Sequence, residues 1–155
     1  MVNVKVRKAE REDCDQILEL MKKLAEFEGY IDQFKVTVTD LEKLCIDEKK
    51  FYILVADVDN NLEGMLVYFF QPFTYDLSPW VVVKELFVTA NQRGIGIGEK
   101  LMRQAIKDCL SVGGTKLKLE VLANNERAIR LYQKLGAKLE TDWKKMSFEP
   151  QRLLS

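Results

Sequence analysis

Apolar and polar positions along the chain change their period several times, and each change predicts an element. Residues 1–7, Met-Val-Asn-Val-Lys-Val-Arg, alternate apolar with polar in the two-residue period of a strand. Ile17, Leu18, Met21, Leu24 and Ala25 then recur at helical spacing with charges between them, which predicts a helix over about residues 13–28. Thr39-Asp40-Leu41-Glu42 has the form of a capping box, so a second helix is expected to start there and to end near Asp47. Residues 51–58 and 64–70 are β-rich and are separated by Asp59-Asn60-Asn61, the pattern of a hairpin. Residues 71–79, with two prolines, read as a loop.

Residues 81–88, Val-Val-Val-Lys-Glu-Leu-Phe-Val, read as a strand buried at both ends and interrupted by two adjacent charges. From Glu99 the pairs Leu101/Met102, Ala105/Ile106 and Cys109/Leu110 repeat every four residues until Gly113-Gly114 stops them, which predicts a strong helix. Residues 116–122 alternate outward lysines with inward Leu and Val. Asn124-Asn125 can cap a helix that runs on through residues 128–135, and a last strand is expected near residues 143–148. Strands and helices in this order predict an α/β chain with a mixed, mostly antiparallel sheet flanked by helices.

Composition narrows this further. At 155 residues the chain is expected to form one domain. Lys plus Arg total 24 and Asp plus Glu total 24, so the overall charge points to neither nucleic acid nor an anionic membrane as a partner. No apolar run approaches the roughly 18 residues of a membrane span, and a cytoplasmic protein is the expectation. Cys14, Cys45 and Cys109 stand singly in helical segments and are expected to be buried. The chain has no histidine, which removes the usual Ser-His and Cys-His nucleophiles, and no metal site is expected. Chemistry must therefore rest on carboxylates, tyrosine, lysine and backbone.

The glycines at 94, 96 and 98 lie between a strand and an amphipathic helix, where successive backbone amides can converge on an anion at the helix amino end. The spacing is not the dinucleotide fingerprint, because Glu99 stands where a third glycine is needed, and it is not a P-loop, because no Gly-Lys-Ser/Thr follows. Arg93 adds a positive charge beside those amides. A glycine-rich tight turn remains the plain alternative.

The Arg-x-x-Gly-x-Gly run after a strand, with Asn125 and Tyr132 further on, resembles the acyl-CoA loop and later motif of the GNAT superfamily. Asp13-Cys14 to Glu28, Thr74-Tyr75-Asp76, Pro79-Trp80, Arg93 to Gly98, Asn125-Glu126, the run from Leu131 to Ala137, and Trp143 together resemble the diamine acetyltransferases of the spermidine/spermine type. The resemblance implies an acetyl-CoA-dependent N-acetyltransferase acting on a small primary amine, such as a polyamine or diamine, and a homodimer. It implies that Leu86, Phe87 and Val88 offer strand backbone to the pantetheine arm and acetyl carbonyl. Arg93, Gly94, Ile95, Gly96, Ile97, Gly98 and Glu99 would wrap the pyrophosphate, and Asn125 would touch the arm. Tyr132 would donate its proton to the departing thiolate, and a phenol of pKa ~10 can stabilise or protonate a thiolate whose thiol has pKa ~8.5, whereas aliphatic side chains cannot. Without the family context Tyr132 reads first as an aromatic on its helix's apolar face.

One departure stands out. The diamine enzymes carry Glu-Asp where this chain has Lys84-Glu85. Neighbouring strand side chains point to opposite faces, so Glu85 can take over its neighbour's work only through a bulge or a different substrate approach. Glu85 is nonetheless expected to bind the acceptor ammonium, and the proton sink would be a water chain ending on Glu85, Glu28 or Asp76, or none where the amine arrives neutral. Glu28, Asp32, Asp76 and Glu85 would form an anionic rim for an amine, although each taken singly also fits a solvated surface charge. Trp80 and Trp143 fit either the acceptor cleft or the core. The second reading is an acyl-CoA-binding regulatory module with weak or no catalysis, motivated by Lys84.

Overall fold

The computed structural model describes residues 3–153, so Met1 and Val2 of the first alternating run lie outside the described residues. The chain forms two compact units, Met1–Glu120 and Val121–Ser155.

The first unit is built on a five-stranded sheet in the order β1 to β5: β1 Val4–Lys8, β2 Tyr52–Val58, β3 Asn61–Pro72, β4 Pro79–Val88 and β5 Lys116–Leu119. The first four pair antiparallel and β5 joins β4 in parallel. Asp59 and Asn60 both adopt left-handed φ, 51° and 72°, as the tight β2–β3 hairpin requires. The expected loop over 71–79 is shorter. Gln71 and Pro72 pair with Trp80 and Pro79, leaving residues 73–78 to turn, because the prolines sit at the outer end of the ladder where a missing N–H costs little.

Alternation assigns the two faces of the sheet. Ile53, Val55, Met65, Val67 and Phe87 share a core with Cys14, Ile17, Leu20 and Leu24 of α1 (Cys14–Glu28) and with Leu41 and Cys45. On the other face Gly64 meets Ile97 and Leu101 of α3 (Ile97–Ser111), and the Tyr68 hydroxyl donates to Asp108 of that helix at 2.8 Å. All three cysteines are free and buried. α2 (Val38–Leu41) continues through Glu42–Asp47 in wider, π-type turns. Its capping box lies two residues before the expected one. Thr37 and Asp40 satisfy each other's backbone amides at 3.1 and 2.9 Å, and Glu42 instead pairs with Arg11.

Gly114 closes the turn from α3 into β5. A Cβ there would stand 2.5 Å from Cys109 Sγ and 2.7 Å from its carbonyl oxygen, closer than atoms can approach. Gly114→Ala is expected to cost on the order of 1–3 kcal/mol, read as a lowered urea midpoint with an unchanged m-value.

The second unit contains α4 (Glu126–Lys134) and the short α5 (Pro150–Leu153). Asn125 caps α4 as expected, its side-chain oxygen accepting the Ala128 N–H at 3.2 Å. The strand expected near 143–148 is not formed among the described residues. Trp143, Met146 and Phe148 are exposed and no ladder partner lies beside them, and alternation cannot make a strand without one. The strand expected over 116–122 ends at Leu119. Lys116 and Lys118 do not point freely outward but lie over the Trp80 ring, 4.8 and 5.4 Å from its centre.

Candidate active site

The apolar run of β4 is broken by its two charges, and there the ladder slips. Val83 faces Tyr68 and Glu85 faces Val67, so β4 spends two residues where β3 spends one, and Lys84 is the extra residue of a β-bulge. The slip decides which way each side chain points. Before it, Val81 and Val83 share the α3 face with Tyr68. After it, Glu85 and Phe87 share the α1 face with Val67 and Met65. In an unbroken ladder the residue after Lys84 would have turned toward α3. The bulge brings Glu85 toward α1 and leaves Lys84 exposed beside it.

Glu28, in the last turn of α1, is the carboxylate whose charge reaches Glu85. Burial raises the Glu85 pKa above the usual carboxylate value, the charge of Glu28 raises it further, and Lys84 pulls it back. Of the expected rim, Glu28 is the member whose charge is felt at Glu85. Asp76 is fully exposed in the 73–78 turn, where its carboxylate accepts the Ser78 amide at 2.9 Å. Trp80 stacks on Phe73 at 4.6 Å beneath the two lysines, at the end of β4 remote from Glu85, and it serves packing there. Trp143 is exposed in the second unit, and Asp32 is exposed after α1.

The bulge also marks where β4 leaves β5. The parallel pairing runs only from Trp80 to Val83, so at Leu86, Phe87 and Val88 no β5 residue pairs with the strand. A turn of 3₁₀ helix, Ala90–Gln92, leads to the glycine loop. Gly94 and Gly96 take left-handed φ of 90° and 85°, and Gly96 is the N-cap of α3. The first amides of a helix have no partner within it, so the loop sets backbone N–H groups at the positive end of a 15-residue dipole. Ile97 is buried against the core and Ile95 is exposed, so both contribute backbone to the loop. The Glu99 carboxylate accepts from Arg103 at 3.0 Å, leaving its backbone amide as the group suited to an anion.

Arg93 turns back along β4. Its Nε donates to the Val88 carbonyl at 3.1 Å, and its guanidinium stands 5.7 and 5.9 Å from the rings of Phe27 and Phe87. It borders a cavity of about 480 Å³ lined also by Lys23, Thr89, Ala90 and Asn91. The cavity residues Lys23, Phe27, Thr89 and Asn91 are absent from the motif reading. Phe27 left a signal all the same, because it continues the stripe of Ile17, Leu20 and Leu24 yet is 61% exposed, so the stripe runs past the core it covers.

In the second unit Tyr132 lies on α4, 8% exposed, and burial pushes its phenol up to about 12. It is a neutral hydroxyl at any physiological pH.

The model of the acetyltransferase (GNAT) family matches residues 14–137. The chain belongs to that family. It is by family an acyltransferase, and its mixed five-stranded sheet is the family's fold. Thialysine N-epsilon-acetyltransferase of Bos taurus is 32% identical over 99% of this chain and 96% of that protein. Spermidine/spermine N(1)-acetyltransferase-like protein 1 of Homo sapiens is 27% identical over 96% of this chain but 23% of its own length. Among solved structures, the ribosomal-protein-alanine N-acetyltransferase of Brucella melitensis superposes with a TM-score of 0.76 at 21% identity, covering 95% of this chain and 99% of that one. The diamine-type resemblance read from the motifs agrees with the first two. No helix among the described residues is long and apolar enough to cross a membrane.

Proposed function

We propose that this GNAT acetyltransferase moves an acetyl group from acetyl-CoA directly to a small primary amine. The observation that carries the reading is the β4 bulge, which turns Glu85 toward Glu28 on one side and opens β4 beside the glycine loop on the other. The names of the relatives, which act on thialysine or belong to the spermidine/spermine type, support an amine acceptor.

The amides of residues 94–99, with Arg93 nearby, suit the pyrophosphate, and the edge of β4 from Leu86 to Val88 suits the pantetheine arm and the acetyl carbonyl. Glu85 takes a proton from the acceptor ammonium. The free amine nitrogen attacks the thioester carbonyl, a strand N–H near Val88 steadies the oxyanion, the C–N bond forms and the C–S bond breaks. Tyr132 gives the leaving thiolate its proton and recovers one from water, while Glu85 releases its own to water. The balance is ammonium plus thioester to amide, thiol and one proton. In this reading residues 1–155 act as one catalytic domain, and a family match that runs from 14 to 137 supports this. Resemblance further supports a homodimer, and three free cysteines suit the reducing cytoplasm.

Calorimetric titration with acetyl-CoA tests the donor half. Micromolar binding is expected, and Gly96→Val, which forces a β-branched residue into φ 85°, is expected to weaken it at least about tenfold. No heat at roughly millimolar donor would sink the reading. The exposed Lys84 also suits an acyl-CoA-binding regulatory module, and binding without thiol release across a panel of amines would select it.

A further inference from the structure

Phe27 is the large aromatic of α1 that the core leaves out, 61% exposed at the end of a stripe whose earlier members are buried. Its ring faces Arg93 instead. The guanidinium carbon lies 5.7 Å from the centre of Phe27 and 5.9 Å from that of Phe87, both within the roughly 6 Å over which a ring attracts a cation. Arg93 also closes the turn that leads out of β4. Its Nε donates to the Val88 carbonyl at 3.1 Å, and inside that turn the Gln92 N–H donates to the Thr89 carbonyl at 3.0 Å. The β4 side of the turn is anchored separately. The Thr89 N–H donates to the Glu63 carbonyl at 2.9 Å, and its buried hydroxyl donates to the Glu63 carboxylate at 2.5 Å. The other side, which runs on into Gly94 and Gly96, is tied back through the Arg93 side chain. A long side chain gives up rotamer freedom when it is held, so two rings that hold it beforehand leave less to lose on binding.

We infer that Phe27 is a positioning residue of the donor site: through Arg93 it holds the start of the glycine loop in the shape that receives the donor's pyrophosphate. The inference rests on the acetyl-CoA reading above and adds to it a residue of α1 that lies outside every motif of the loop.

Phe27→Leu keeps an apolar side chain and removes the ring face. With the full chain, calorimetry is expected to show acetyl-CoA bound about threefold more weakly, the worth of one exposed cation–ring contact. The melting temperature should stay within about 2 °C, because little of Phe27 is buried. Phe27→Trp should keep the native affinity. The deciding comparison is made without the cation: in an Arg93→Met background, Phe27→Leu should add no further loss, whereas a residue that only packed the helix would cost the same in both. A readout that needs no donor is the Arg93 Nε–H resonance, expected to be ring-shifted and slow to exchange, and to lose both properties in Phe27→Leu. Equal affinity of the native chain and Phe27→Leu, an undiminished loss in the Arg93→Met background, or an Nε–H resonance that ignores Phe27 each overturns the inference and leaves the donor reading intact. If the resonance responds but the native chain fails to bind acetyl-CoA, the donor reading falls and takes the inference with it.

Discussion

Glu85→Gln is expected to lower kcat/KM by about 10²–10³-fold and, at neutral pH, to make the protein more stable rather than less. Both effects have one cause. Burial and the neighbouring Glu28 make the charged form of Glu85 unfavourable, and this raises its pKa toward the range where a base can take a proton and release it again. A folded-state pKa raised above the unfolded value means that the folded chain binds the proton more tightly. The stability this gives is fully present below the unfolded pKa, near pH ~4.3, and is lost as pH rises through the folded value. Above that window the native enzyme holds a half-buried charge that glutamine does not have. Melting curves of the two proteins should coincide near pH ~4 and separate by about 1–3 °C at pH ~7, with the glutamine variant higher. The same pKa sets the acid limb of kcat/KM. Glu28→Gln removes a raising influence and should move that limb to lower pH. A glutamine variant that keeps full turnover would end the assignment of Glu85 as proton acceptor.

The second large effect is on the leaving group. Tyr132→Phe removes one oxygen from a side chain that is 8% exposed, so the ring's packing survives and acetyl-CoA affinity should stay within about twofold. Turnover is expected to fall about 10²-fold, the usual worth of one positioned acid. Burial holds the phenol near 12, so it remains a proton donor across the working range and contributes no basic limb to kcat below about pH 10. A thioester with a more acidic thiol needs less help to depart, and such a donor should recover much of the lost rate. Equal loss with both donors would mean that Tyr132 does not protonate the thiolate.

Much of this could be read from the sequence, where the signal was local. The stripe of α1, the hairpin at Asp59-Asn60, the glycine loop and the Asn125 cap each depend on a few neighbouring residues, and each formed where expected. The slip at Lys84 depended on what lay across the ladder. Two adjacent charges flagged an irregularity, but only pairing with Val67 and Tyr68 shows which residue is extra. Asp76 and Trp80 were drawn into the site by resemblance, and the structure instead engages one in its own turn and the other beneath two lysines. The expected strand at 143–148 had the right apolar residues, but a strand is a property of a pair. The cavity beside Arg93 gathers residues 23, 27, 87, 89 and 93, a set that no short motif spans.

The bulge separates the presence of a residue from its kind. The extra residue at position 84 shifts the ladder where the β4–β5 pairing ends, whereas its side chain is exposed and touches Glu85 only through its charge. Deletion there would restore the unbroken alternation and turn Glu85 toward α3. Substitution leaves the slip in place and changes only the charge beside Glu85. Position 84 is thus fixed in existence and free in identity, and its side chain can change over evolutionary time without disturbing the ladder on either side of it.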